Sequence, residues 1–369
     1  MITREALAEY LVGVFRARVE VLALRRLKGA SEEGTEDPKG FGYGVPFEVE
    51  CVVHDEPCSL VVSRTRPTRG FGHDYPADRA WQALYGHVAY NTFPRHARSL
   101  DVGFVTASGA LVSAADAEEF FQVVEKAEGQ LYWLDLDRLL SLPPRPLDTE
   151  RARALAVALA EAHALKRDEP TLYQRRIREL VGHGECAMGI LDSYPHPYPL
   201  LPPADCEALE RALVGWRWRL QGRTRRLART HGDFHPWNIL FREGTDFSVL
   251  DRSRGEWGEP ADDVAALSVN YLFFGLRKSA AAGAAGVAEP FRTLFRVFLD
   301  TYLDASGDGE LLEVLPPFFA FRALVIAHPR WYPTLADETR AALLGFARAM
   351  AQPGAFDPER LPADLEARP

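Results

Sequence analysis

Residues 231–241 read HGDFHPWNILF. Pro236, in the middle of that run, lacks a backbone N–H and clashes with the preceding turn, so no regular helix can pass through it. The segment from His231 to Asn238 is therefore a loop. Beyond it, NILF (238–241) and FSVLD (247–251) are short apolar runs separated by REGTD (242–246), the signature of two strands and a turn. That hairpin puts Asp251 at the end of its second strand and brings Asn238 and Asp251 together beside Asp233. Oxygen ligands on a loop and a neighbouring strand end suit a hard cation such as Mg2+, which takes carboxylates and carbonyls together with substrate phosphates. Zinc is disfavoured. His231 and His235 stand four apart like a helical ligand pair, yet the proline prevents that helix and no third His or Cys lies at ligand spacing.

The rest of the chain divides by character. From about residue 19 to 66, VEVLALRRL, PFEVECVV and CSLVVSRTR read as a β-meander, with HDEP as the turn between the last two. Between the first two strands, Gly29, Gly34, Gly40, Gly42 and Gly44 give the backbone access to positive φ and to close approach of a ligand. PADRAWQALYGHVAYNTF (76–93) has helical periodicity, and EEFFQVVEKAEG (118–129) reads as a further strand ending in a glycine. After Gly129 almost everything is helical: DTERARALAVALAEAHALK, then RRIRELVGHGECAMGILDSYPHPYPLLPP as a helix entering a proline-rich loop, then ADCEALERALVGWRWRLQG. Four more helical runs follow residue 262. The boundary falls near Lys126, between a β-rich lobe (1–126) and a helical lobe (127–369). With 369 residues and 47% hydrophobic content, the chain can build both cores.

Net charge excludes some partners. At −9, with no long basic tract, the chain offers no electrostatic footprint for nucleic acid. Charged residues interrupt the apolar N-terminus, so a membrane span and a signal peptide are not expected. The four cysteines show neither a C-x-x-C pair nor a disulfide framework, which points to reduced thiols and a cytoplasmic location.

The spacing H-x-D-x-x-x-x-N, a hairpin and then an aspartate resembles the catalytic core of protein-kinase-like phosphotransferases. With glycine after the histidine, HGDFHPWNILF is similar in particular to the aminoglycoside phosphotransferase and choline kinase family. Downstream, Asp251 is followed after six residues by Gly258, Pro260 and Asp263 in the family's G-x-P-x-x-D register. Upstream, LAVALAEAHAL resembles a family helix ending in a histidine, here His163, and VVEKAEG resembles the hinge between lobes. The resemblance implies a two-lobed α+β fold, a small antiparallel sheet and a larger helical lobe. It also implies transfer of phosphate from ATP, or GTP, with Mg2+, to the hydroxyl of a small molecule such as an antibiotic, sugar or amino alcohol.

Carried over residue by residue, Asp233 would accept or orient the acceptor's proton, and Asn238 and Asp251 would hold Mg2+. His231 would hydrogen-bond the backbone near Asp251, while Pro260 and Asp263 would support the loop. Gly40, Gly42, Gly44, Glu125 and Ala127 would bind the nucleotide. Two departures stand out. No lysine occupies the third strand, where such folds grip the nucleotide phosphates, and no glutamate the following helix; Arg64 and Asp78 would take their places, with Arg66 the alternative to Arg64. Asp78 also fits a plain helix cap. After Asp251 comes RSR, whose Arg252 and Arg254 either pair with Glu256 or Glu259 at the surface or face the acceptor, where they would repel a polycation. The segment 168–203 would build part of the acceptor site. Two rivals are a kinase-like nucleotide-binding module without turnover and a protein kinase. The second is disfavoured because too few residues separate Asp251 from Gly258 for an activation loop. Acceptor identity and oligomeric state stay open.

Overall fold

The computed structural model describes residues 2–27, 43–67, 72–361 and 365. They form two compact units, Met1–Val124 and Glu125–Pro369.

The first unit opens with α1 (Arg4–Phe15). Its N-cap Thr3 accepts the Ala6 N–H at 3.2 Å, closing one of the donors that every helix start leaves open. Strands β1 (Val19–Arg26), β2 (Gly44–Val53) and β3 (Glu56–Thr65) pair antiparallel in that order. The meander expected for 19–66 is therefore present. His54 and Asp55 join β2 to β3 with φ of 53° and 66°, the handedness that matches the twist of a two-residue hairpin. Leu7 and Leu11 of α1 pack against Val19, Val21, Val49 and Cys51 to form this unit's buried cluster. Next come α2 (Pro76–Thr92) and a short hairpin of β4 (Gly103–Val105) and β5 (Leu111–Ser113). The strand expected at 118–129 does not form. Residues 118–128 have no ladder partner among the described residues, and Phe120, Phe121, Val123 and Val124 are exposed. A β-branched, aromatic run is extended by preference, but it becomes a strand only when another strand's edge takes up its backbone donors and acceptors.

In the second unit, β6 (Gln130–Leu131) runs straight into α3 (Tyr132–Ser141), followed by α4 (Pro146–His163), α5 (Pro170–Gly182), α6 (Ala187–Asp192) and α7 (Pro203–Leu220). The short strands β7 (Ala228–Arg229), β8 (Ile239–Phe241), β9 (Phe247–Val249) and β10 (Trp257–Gly258) frame the loop regions. After them come α8 (Pro260–Ala281), α9 (Phe291–Ser306), α10 (Leu311–Val314), α11 (Pro316–Ala327) and α12 (Asp337–Ala351). Proline at the first turn of α4, α5, α7, α8 and α11 costs nothing, because the N–H it lacks has no acceptor there. Helix α8 is apolar almost all round and buried along nearly its whole length, so it serves as the unit's central rod. It packs against α3, α9, α11 and α12. Among the described residues no helix is long and apolar enough to cross a membrane, and all four cysteines are free thiols.

Candidate functional site

Asp233 lies in the loop between β7 and β8, as Pro236 requires: residues 236–238 make only one turn of 3-10 helix before the chain extends into β8. The loop is held from below by one carboxylate. Asp263, fully buried in the first turn of α8, accepts the backbone N–H of His231 and of Gly232, each at 2.7 Å. The same carboxylate meets His163 Nε2 at 3.1 Å, and His163 Nδ1 meets the Tyr302 hydroxyl at 2.8 Å. Burial alone would push Asp263 towards its neutral form, but the hydrogen bond from His163 and those from the loop backbone outweigh it and keep its pKa below the usual range. Gly232 is needed here. Its φ is +86°, and a Cβ would lie 3.0 Å from the Arg254 Cβ.

The hairpin expected after the loop is β8–β9, with Ile239 opposite Val249 and the Leu250 N–H donating to the Asn238 carbonyl at 2.8 Å. Asn238 and Asp251 are thus joined across the end of one ladder. Asp251 has φ of +54°, a left-handed conformation that aspartate tolerates better than most residues, and its side chain is exposed. The Asn238 amide donates to the Asp233 carbonyl at 3.0 Å, which leaves its own oxygen as an acceptor.

Asp233 itself is surrounded by two arginines and a histidine. Arg322 of α11 donates from Nη1 to Asp233 Oδ1, from Nη2 to the Gly232 carbonyl at 2.7 Å, and from Nε and Nη2 to Asp262 at 2.9 and 2.6 Å. Arg254 Nη2 stands 3.9 Å from the same Oδ1, and His235 Nε2 lies 3.4 Å from Oδ2. Burial opposes the charge on Asp233. The His235 contact and the guanidinium groups of Arg322 and Arg254 override it and hold the carboxyl well below the ordinary range. His235 Nδ1 accepts the Trp237 N–H at 3.2 Å, so the ring proton is on Nε2, facing Asp233.

His231 plays a quieter part than expected. Its Nδ1 accepts the Asp233 N–H at 3.3 Å, while its buried Nε2 makes no hydrogen bond of ordinary geometry, although the Leu250 carbonyl beside Asp251 is close enough to act on the ring. Burial lowers its pKa despite the nearby Asp263 carboxylate and Leu250 carbonyl. Trp237 stacks on Trp133 (6.1 Å between ring centres, 12°) and meets the edge of Tyr332. These three rings line a cavity of about 510 Å3 with Asp137, Phe273 and Arg277. Among the described residues no three His, Cys, Asp or Glu side chains gather as a metal cage. A carboxylate and a carboxamide at one strand end are a donor set that suits Mg2+ completed by water and phosphate oxygens.

The arginines after Asp251 do not pair with acidic side chains in the expected way. Arg252 donates to the backbone carbonyls of Thr230 (2.9 and 2.7 Å) and Glu256 (3.1 Å). Glu259 is taken by Arg226 and by the Tyr173 hydroxyl at 2.8 Å.

For the nucleotide-binding residues, Gly40 and Gly42 lie outside the described residues. Gly44 begins β2 as a ladder residue opposite Thr65, and a Cβ there would make only an ordinary contact, so it uses no special glycine freedom. Glu125 and Ala127 sit in the irregular stretch before β6, Glu125 exposed and Ala127 half-buried. Arg64 is exposed on β3 and makes no ion pair with Asp78, whose carboxylate reaches back to the Tyr75 N–H at 3.0 Å as a helix cap. That bond closes a donor at the start of α2. Asp78→Ala should therefore lower stability by about 1 kcal/mol, Arg64→Ala by less than about 0.5 kcal/mol, and the double variant by their sum. A coupling above about 0.5 kcal/mol in denaturant titrations would restore the pair.

Sequence reasoning missed Arg322 and Asp262 and weighed His235 only as a zinc ligand. Asp262 adjoins the G-x-P-x-x-D aspartate, which could have flagged it. Nothing local marks Arg322.

Asp263 thus clamps the loop that carries Asp233, and the hairpin after it ends with Asn238 and Asp251 side by side. A profile of the phosphotransferase enzyme family matches residues 93–296, more than half of the chain. The protein belongs to that family, and its fold is the protein-kinase-like α+β fold, a small antiparallel sheet unit and a larger helical one. No curated protein sequence matches it. Among solved structures it is similar to the macrolide 2'-phosphotransferase MphH from Brachybacterium faecium, at 17% identity over 96% of this chain and 100% of that one with a TM-score of 0.33. A glucosamine kinase is similar at 16% identity over 94% and 95%, with a TM-score of 0.39. A choline/ethanolamine kinase family protein from Mesorhizobium loti is similar at 15% identity over 93% and 92%, with a TM-score of 0.37.

Proposed function

We propose that this chain transfers the terminal phosphoryl group of ATP to a hydroxyl of a small molecule. In that reaction the acceptor oxygen forms a bond to phosphorus as the bond to the leaving diphosphate breaks, and the hydroxyl proton passes to Asp233. The observation that carries this reading is the convergence of Asp233, Asn238 and Asp251 on one loop and hairpin, with Asp233 held ionised. Phosphoryl transfer needs alignment and charge neutralisation more than covalent chemistry from the protein. Asp233 Oδ1 is fixed by Arg322, which leaves Oδ2, beside His235, to orient the hydroxyl. Asn238 and Asp251 would hold Mg2+, which supplies neutralisation of the phosphate charge when bound. Arg64, exposed on β3, is a phosphate contact in this reading, and Glu125 and Ala127 are nucleotide contacts.

The test is incubation with ATP, Mg2+ and a library of hydroxyl metabolites, following both ADP and phosphorylated product. Nucleotide binding with neither hydrolysis nor product would favour a binding module instead. Within the reading, Asp251 offers a charged oxygen where Asn238 offers a neutral one. Asp251→Ala should accordingly weaken Mg2+-dependent nucleotide binding more than Asn238→Ala, by about tenfold or more. Calorimetry that finds Mg2+-dependent binding unchanged in Asp251→Ala removes the metal role.

A further inference from the structure

Three arginines approach the catalytic loop, and they are not equivalent. Arg252 is engaged by two backbone carbonyls and Arg322 by Asp233, Asp262 and the Gly232 carbonyl. Arg254 differs: its Nη1 is buried and has no hydrogen-bond partner, and its Nη2 is 3.9 Å from Asp233 Oδ1, beyond hydrogen-bonding distance. A buried guanidinium donor without an acceptor is costly and rare in folded proteins, and it asks for a missing partner. The side chain is nonetheless held in place. Its Cβ region packs on Gly232, its guanidinium lies 5.4 Å from the centre of the Phe321 ring, and Arg176 anchors the turn through the Trp257 carbonyl at 2.9 Å. Asp233 already has Arg322 and His235, so Arg254 is not required to neutralise it. Arg322 spans Asp233 and Asp262, so among the described residues the charge of Arg254 is left with only the distant Asp233 Oδ1 as a counter-ion.

The two oxygens of Asp233 face different neighbours. Asn238 Nδ2 lies 3.3 Å from His235 Nε2, and His235 faces Oδ2, so the ligand pair at the hairpin end is on the Oδ2 side. Arg254 is on the Oδ1 side. It also acts on the Cys186 thiol, which burial pushes up to about 11 against the pull of Arg254; Cys186 is the N-cap of α6, inside the 168–203 segment.

Resting on the kinase reading above, we infer that Arg254 binds an anionic group of the acceptor, a carboxylate or phosphate, adjacent to the hydroxyl that Asp233 orients. A guanidinium with free donors in a fixed fork matches either anion, and its position next to Asp233 places the anion a few atoms from the reacting oxygen.

The experiment uses one skeleton with its charge varied: glycerol, glycerate, glycerol phosphate and aminopropanediol. Binding to the full chain is measured by calorimetry with and without ADP and Mg2+, and turnover is measured with ATP. Glycerate and glycerol phosphate should bind about tenfold or more tightly than glycerol, and aminopropanediol more weakly. Arg254→Ala and Arg254→Gln should remove that preference, while Arg254→Lys keeps part of it. The phosphate and carboxylate members report which anion is preferred. If the anionic members bind no better than glycerol, or keep their advantage in Arg254→Gln, the assignment falls. It falls equally if Arg254→Gln slows turnover on every acceptor and slows acceptor-free ATP hydrolysis by the same factor, since Arg254 would then act on the transferred phosphoryl group. Arg254-dependent anion binding with no phosphate transferred to any acceptor leaves the anion site standing and removes the kinase reading.

Discussion

Asp233→Asn should lower turnover by about a hundredfold or more while nucleotide affinity stays within a few-fold of the parent, the usual scale for loss of a positioned general base. The carboxamide keeps the size of the side chain and can still accept from Arg322, so the loop should hold its shape. What disappears is the negative charge that orients the hydroxyl and receives its proton. Because Arg322, Arg254 and His235 hold the Asp233 carboxyl well below the ordinary range, the parent's activity should show no acid limb from this group between about pH 5 and 7. The same shift contributes to stability. That contribution is complete above the unfolded carboxylate's pKa of about 4 and is lost as the pH falls towards the depressed folded value. Parent-like turnover in Asp233→Asn would end the assignment.

Arg322→Met is the second large effect. Arg322 is 5% exposed and is shared between two carboxylates and a loop carbonyl. Methionine fills much of the volume but leaves Asp233 and Asp262 as neighbouring charges without their common partner. Removing one member of such a buried set costs about 3–5 kcal/mol, a large share of a typical domain's stability. Without this guanidinium the Asp233 pKa should rise, so an acid limb should appear at higher pH than in the parent. Arg322→Lys should recover little, since a single ammonium cannot serve two carboxylates and a carbonyl in one plane. Thermal unfolding and a pH profile of turnover separate the two consequences. An unshifted profile in a folded Arg322→Met variant would mean that Arg322 braces α11 without tuning Asp233.

What could be read in advance follows the range of the forces involved. Pro236 ruled out helix through 231–238 on local steric grounds, and REGTD between two apolar runs is a turn wherever it occurs. The β8–β9 hairpin is therefore where the sequence puts it. The repeats of apolar residues that mark α4, α7, α8, α9, α11 and α12 are local as well. Asp263 was legible as a loop support because its spacing from Asp251 repeats a family pattern, although its bonds to two loop N–H groups were not visible. Residues 118–129 have the composition of a strand, and composition does not supply a partner edge. Asp78 was open to two readings, and the neighbouring Tyr75 N–H took it.

By itself, the sequence determined the loop at Asp233, the hairpin that joins Asn238 to Asp251 and the phosphotransferase resemblance. Each depends on backbone sterics or on side chains within a few residues of one another. The electrostatic setting of Asp233 was decided only by the tertiary structure. Arg322 is 89 residues further along the chain, and it reaches the loop because the apolar faces of α8 and α11 pack together and carry it there. Arg254 is closer in sequence, yet whether it turned outward to Glu256 or inward to Asp233 depended on Gly232 and Phe321 offering it a surface. Hydrophobic packing is insensitive to which charges it brings into contact, so the pairing of those charges appears only once the helices are in place.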